Sequence, residues 1–226
     1  MDSRDADVFA RLAKELHEQE SVDETVERLV ESVPALVGSD FASVLLARRG
    51  RHLEAGASTD PIAEKLDQLQ IEYAEGPALE AVLDTSTLLV PDLRADGRWP
   101  RWSPSAAHLG IASVLVVRLW TSHATWGTLN LYAAQPRHFD ANSVGIAEIL
   151  ARHASIAVAS ARNEESLTQA IDARKLIGQA QGILMERYDL DDRRAFDVLR
   201  RYSQDHNIKL NEVARRLVST RRLPPD

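Results

Sequence analysis

The reading of this chain turns on Ile177-Gly178-Gln179-Ala180-Gln181-Gly182-Ile183-Leu184-Met185-Glu186-Arg187-Tyr188. Leu176, Ile177, Ala180, Ile183 and Leu184 fall at helical spacing, so the stretch reads as helix as far as Tyr188. Gly178 and Gly182 stand at i, i+4 and share one helix face. Each costs the helix up to about 1 kcal/mol relative to Ala. A helix that keeps two such residues gains close approach by another backbone, either a packed helix or a ligand. Asp189–Asp192 breaks the pattern, and Asp191 or Asp192 caps a second helix with Ala195, Phe196, Val198 and Leu199 as apolar positions. That helix ends near Asp205–Ile208. A third begins at about Lys209, with Leu210, Val213, Ala214, Leu217 and Val218 at i, i+3, i+4, i+7 and i+8, and Pro224-Pro225 ends it. Ala180, Ile183, Leu184, Phe196, Leu199, Leu210, Val213 and Leu217 are the expected core of these helices.

Upstream, the helical pattern reaches back to about Asp140. Ile146, Ile149, His153, Ile156, Ser160, Asn163, Leu167 and Ala170 alternate spacings of three and four, an a/d seam suited to pairing with another helix. Packing of its first half on a sheet is the alternative. The N-terminal region also reads as helix: Val8, Leu12 and Leu16, then a Ser21–Glu24 capping box leading Val22, Val26, Leu29, Val30 and Val33, with Pro34 a bend or a restart and Gly38 a stop. Strands are expected at Phe41–Ala47 and Leu53–Ala57, joined by a turn at Arg48–Arg51. Asp60-Pro61 and Gly76-Pro77 open short helices to about Leu69 and Leu83. Thr87–Val90 is a short strand, Asp92–Ser105 an irregular segment, and Ala112–Trp120 with Thr125–Ala133 a central antiparallel hairpin.

Composition narrows the function. The 226 residues include no cysteine, which removes disulfides, thiolate nucleophiles and Cys-ligated metal. The N-terminal twenty residues are charged throughout with no apolar core of a secretory signal. No apolar stretch approaches the roughly 18 residues of a membrane span. A cytoplasmic protein without a membrane partner is expected. The formal charge is −7. Arg174–Asp226 holds 12 basic and 8 acidic residues, a balance of +4; the other 15 basic and 26 acidic residues leave −11 on residues 1–173. A basic final quarter on an acidic body points to two modules, the last with a polyanionic partner; the alternative is a solvated helical face. No GxGxxG, GxxxxGK[ST] or GxSxG stretch occurs, and none of the seven His falls in an HxH or HExxH pair. Neither a catalytic set, a metal site nor a cofactor is expected.

Residues 1–165 resemble a GAF domain. The resemblance rests on Glu75-Gly76-Pro77-Ala78-Leu79-Glu80-Ala81, Val90-Pro91-Asp92-Leu93, Trp99-Pro100, and Gly127-Thr128-Leu129-Asn130-Leu131-Tyr132 with Phe139, in that order. It implies an antiparallel-sheet sensor domain flanked by helices, holding a small-molecule ligand or serving as a platform for a partner protein or a second copy. Ala78 stands where similar chains often carry Cys. Trp99 and Trp102 lie on the expected lid loop, as a ligand wall or as staples of the loop onto the core. Residues 166–222 resemble an ANTAR domain, a three-helix RNA-binding module of bacterial antitermination regulators. The stretch quoted at the outset carries that resemblance, with Ala195-Phe196, Leu199-Arg200-Arg201-Tyr202-Ser203, Asn207-Ile208-Lys209-Leu210 and Ala214. The expected class is α+β: a GAF-like domain, a long connecting helix, then the ANTAR module.

The ANTAR resemblance raises Arg200, Ser203, Asn207 and Lys209 as RNA contacts, since Arg and Lys meet phosphates while Ser and Asn reach sugars or base edges. Lys175, Gln179 and Gln181, with Gly178 and Gly182, are further candidates on the first helix; Gln181 stands where similar modules often have Lys. The resemblance also implies a homodimer presenting two modules to paired stem–loops of nascent leader RNA, so that a terminator hairpin cannot form. Two other readings stay open: a DNA-binding helix-turn-helix formed by the last two helices, and a small-molecule-binding enzyme on the GAF half.

Overall fold

The computed structural model describes residues 3–19, 21–48, 52–83 and 86–222, with side chains from residue 10 onward. The side chain of Val8, the turn at Arg49–Arg51 and Pro224-Pro225 lie outside the described residues. The chain forms two compact units, Met1–Arg162 and Asn163–Asp226.

The first unit begins with α1 (Ser3–His17) and α2 (Val22–Val37). Ser21 caps α2 by accepting from the Glu24 amide. The helix runs through Pro34 without restarting and stops at Gly38, whose φ of 82° is open to glycine at little cost. Then follow β1 (Phe41–Ala47), β2 (Leu53–Ser58), α3 (Pro61–Tyr73), α4 (Pro77–Leu83), β3 (Thr87–Val90), α5 (Trp102–His108), β4 (Ser113–Trp120) and β5 (Thr125–Ala133). The strands make one antiparallel sheet in the order β2-β1-β5-β4-β3.

Alternation along the strands feeds two cores. Val44, Leu46, Leu115, Val117, Leu119, Leu129 and Leu131 face α1, α2 and the start of α6 (Ala141–Tyr188). Leu45, Val114, Val116 and Tyr132 face α3, α4 and α5. The sheet is therefore covered on both faces, which explains the nearly continuous apolar runs of β1 and β4.

Helix α5 corrects the reading of Asp92–Ser105 as irregular throughout. Pro104 sits in its first turn, where a missing amide costs nothing. Glu75 Oε1 accepts from the Arg101 and Trp102 amides at 2.6 and 2.7 Å, capping α5 from a distant loop. The neighbouring residues of that motif have their own packing reasons. A Cβ at Gly76 would lie 2.5 Å from the Gln70 side chain, whose Oε1 accepts from the Ala78 amide at 2.8 Å.

Helix α6 spans 48 residues and contributes to both units. Its sheet-facing stripe is Ala147, Leu150, Ala151, Ala154, Ala157, Val158 and Ala161. The expected seam lies beside this stripe: Ile146 and Ile149 pack at its edge, while Ile156 and Leu167 are exposed. The expectation that no apolar stretch approaches a membrane span fails at α6. α6 contains an 18-residue window of mean hydropathy 1.3, apolar enough to cross a membrane by length and composition. In the structure that apolarity is spent on the alanine stripe, as in a core helix.

The second core holds a polar cluster around Asp67. Asp67 of α3 is fully buried; it accepts from the Tyr132 hydroxyl at 2.7 Å and from Asn130 Nδ2 at 3.1 Å. Asn130 also donates to Ser43 Oγ at 3.3 Å, and Gln70 Nε2 to the Tyr132 oxygen at 3.3 Å. Burial pushes the Asp67 carboxyl up to about 7, against the hydrogen bonds from Tyr132, Ser43 and Asn130. Folding therefore retains a proton that the unfolded chain releases above about pH 4, so this group's contribution falls as pH rises to about 7. Asp67→Asn should stabilise the protein more at pH 8 than at pH 4.5, the difference being at most about 3 kcal/mol. Equal offsets at the two pH values would show that Asp67 does not titrate this way.

Candidate functional site

The second unit is built from the C-terminal part of α6, α7 (Asp192–Asp205) and α8 (Leu210–Thr220). Ala180, Leu184, Ala195, Leu199, Val213, Ala214 and Leu217 form its core, with Ile183 and Leu210 packed at the margin. Phe196, expected in that core, lies outside the buried set and is half-exposed. Asp191 caps α7 by accepting from the Arg194 amide at 2.7 Å.

The turn from α7 to α8 depends on Asn207. Its φ is 51°, a left-handed conformation that Asn tolerates better than most residues. The Ile208 amide donates to the Ser203 carbonyl at 3.0 Å, and Ser203 Oγ donates to the Ile208 carbonyl at 2.6 Å. Lys209 occupies the N-cap of α8 with no side-chain capping bond, and its carbonyl takes the Glu212 and Val213 amides. Behind the turn, the Tyr202 and His206 rings stack at 4.0 Å.

This geometry sorts the nine sequence candidates. Asn207 and Lys209 are exposed at the turn. Ser203 is committed to holding the turn closed. Arg200 is exposed and pairs with Asp197 at 2.8 Å, an i, i+3 surface pair that is worth little and easily exchanged. On α6, Lys175, Gly178, Gln179 and Gly182 share an exposed stripe. Gln181 does not join it: its Nε2 donates to the Asp192 carbonyl and carboxylate at 3.1 and 2.7 Å, tying α6 to the start of α7.

Among the described residues no helix lies against the glycine stripe. A Cβ at Gly178 or Gly182 would meet nothing within 4 Å, so packing of the third helix does not account for either residue. Gln179 and Gly182 instead border a hollow of about 530 Å³ between α6 and the end of α8, lined also by Arg187, Arg221 and the acidic Glu186. Arg187 donates to the Arg221 carbonyl. Only the fold brings these two arginines, 5 and 39 positions further along the chain, beside Gly182. The candidates thus form two patches. One adjoins the C-terminal end of α8 and the other its N-terminal end, roughly 16 Å apart along an 11-residue helix.

In the first unit, Trp99 and Trp102 are buried, with ring centroids 6.0 Å apart at 89°. Trp102 Nε1 donates to the Leu66 carbonyl at 3.0 Å. Both rings pack in the second core and hold the 92–105 segment against α3.

A sheet clothed by helices on both faces precedes a three-helix unit in the same chain. Residues 19–159 match the GAF domain family and residues 165–218 the ANTAR domain family, and the chain belongs to the GAF–ANTAR proteins as a regulator of the ANTAR family. Similar solved structures include the GAF domain of an Acinetobacter phosphoenolpyruvate-protein phosphotransferase (16% identity, TM-score 0.57), covering 74% of this chain and 99% of that one. The corresponding Coxiella burnetii GAF domain has 13% identity and a TM-score of 0.59, over 72% of this chain and 96% of that one. Free methionine-R-sulfoxide reductase from Neisseria meningitidis, solved with its substrate, has 15% identity and a TM-score of 0.57, over 72% and 95%. At these identities the likeness is one of fold. No curated protein sequence matches the chain.

Because their faces are open, Gly178→Ala and Gly182→Ala should each stabilise the C-terminal unit, by up to about 1 kcal/mol. Chemical denaturation of the two variants checks this; a loss of stability would mean that the stripe is packed.

Proposed function

We propose that the protein is a cytoplasmic, non-enzymatic antitermination regulator. Its C-terminal unit binds paired stem–loops in nascent leader RNA and keeps a terminator hairpin from forming. The GAF half receives an input, a small molecule or a partner protein, and governs access to the RNA-binding face. A second copy of the chain pairs along the exposed side of α6, around Ile156 and Leu167, so that two modules meet two loops.

The observation that carries this reading is the open glycine stripe beside Arg187 and Arg221, within a unit that matches the ANTAR domain. Two helical glycines with nothing packed on them leave backbone accessible to a ligand, and guanidinium groups on the rim suit phosphates. Lys209 and Asn207, at the other end of α8, supply a charge and a hydrogen-bonding amide for the same RNA. Unstacked loop bases are read by such short polar groups. A span of roughly 16 Å between the patches fits a hairpin lying along α8.

Duplex DNA recognition keeps one supporting observation. The α7–α8 turn lacks glycine, yet Asn207 supplies the left-handed residue such a turn needs.

Titration of stem–loop RNA at several salt concentrations tests the RNA reading. Lys209→Ala should weaken binding several-fold and reduce the slope of log affinity on log salt by about 0.9, one phosphate contact. Gly182→Ala should weaken binding although it stabilises the helix. Wild-type affinity and slope in both variants would remove these residues from the interface.

A further inference from the structure

The GAF half carries a partly buried arginine, Arg118, whose Nε is left without a hydrogen-bond partner. Arg118 belongs to β4 and, by alternation with Val114 and Val116, projects toward the α4 face of the sheet. Its Nε is buried without a hydrogen-bond partner, and the side chain makes no ion pair among the described residues. Directly across the ladder stands Thr128, whose Oγ1 is likewise buried and unpartnered. A buried donor left unmade costs about 1–3 kcal/mol, more for a charged group. A fold that keeps one at this position has a use for it.

The surroundings state what would satisfy it. The Arg118 guanidinium lies 5.0 Å from the centroid of the Trp120 ring, which is 48% exposed. Leu83, at the end of α4, is 52% exposed. These residues line a hollow of about 500 Å³, within the size range of small-ligand sites. Arg48 and His123 also line it, and no Asp or Glu does among the described residues. Arg48 already pairs with Glu54, so Arg118 is the cation left to meet a ligand. A neighbouring hollow on the α6 side shares Arg118 and Trp120 but includes Glu148 and Arg152, so its charge is mixed.

We infer that this hollow is a binding site for a small organic anion. Its acidic group, a carboxylate or a phosphate ester, pairs with Arg118, and its flat apolar part lies on Trp120 and Leu83. Arg suits this role because its planar group stacks on an aromatic ring while presenting several donors to an oxyanion. The lining of this hollow shares no residue with the Asp67 cluster or the C-terminal unit; the inference rests on the reading of the GAF half as receiver of a small molecule and is independent of RNA recognition.

Naphthoate and naphthyl phosphate are suitable probes, with naphthylmethylammonium and inorganic phosphate as controls. The readout is the Trp120 indole signal of the full chain in a nitrogen–proton correlation spectrum, assigned with Trp120→Phe. One or both aromatic anions should shift that signal saturably at millimolar concentration or below, which also tells carboxylate from phosphate. Inorganic phosphate should bind more weakly and the cation should not bind. Arg118→Gln should weaken the anion by about tenfold or more, and Arg118→Lys should restore part of it. If Arg118→Gln does not fold, Trp120→Ala, at a half-exposed position, should show the same loss by calorimetry. Equal binding of the cation, undiminished binding in these variants, or no saturable shift with either anion would overturn the site.

Discussion

One constraint runs through the structure: α6 must serve two cores with a single helix. From Ala147 to Ala161 it buries an alanine-rich stripe against the sheet, and from Ala180 to Leu184 it supplies one wall of the C-terminal unit. Between them, residues 163–172 are exposed or only partly buried. Alanine suits the first task because it favours helix and lets the helix lie close on a twisted sheet. The second task explains why Gln181 is tied to Asp192: that bond fixes the start of α7 on the helix that precedes it.

Much of the local structure was legible because it is decided by neighbours in sequence. Ser21, Asp60 and Asp191 each cap the helix that follows, and Gly38 ends α2. The strands showed as apolar runs because both faces of the sheet are covered. Helix α5 was hidden because Trp, Pro and Gly dominate its approach, and because its cap, Glu75, comes from another loop. The Asp67 cluster could not be read at all: Asn130 and Tyr132 are more than 60 residues away and meet Asp67 only through the sheet. The seam was displaced by about one position, since alanines carry the burial that larger residues seemed to signal.

The candidate RNA site was legible as a set of residues but not as a surface. Residue type and family resemblance raised Ser203 and Gln181, and the fold occupies both side chains internally. The same reasoning passed over Arg187 and Arg221, whose place beside Gly182 arises only when α8 folds back along α6. The glycines themselves invited a packing explanation, and the open space over them removes it. In the same way, net charge concealed the division of labour. A chain at −7 carries a basic terminal segment, +4 over residues 174–226 against −11 over residues 1–173.

The central claim is that the C-terminal unit reads RNA hairpins presented as a pair. Its most direct measurement is a competition gel-shift of the full-length protein at fixed, near-physiological salt, with a two-hairpin leader RNA, the same RNA reduced to one hairpin, and duplex DNA of matched length. The account predicts tightest binding to the paired RNA, weaker binding to the single hairpin and only salt-sensitive, nonspecific retention of the duplex. Equal affinity for all three, or preference for the duplex, would contradict it.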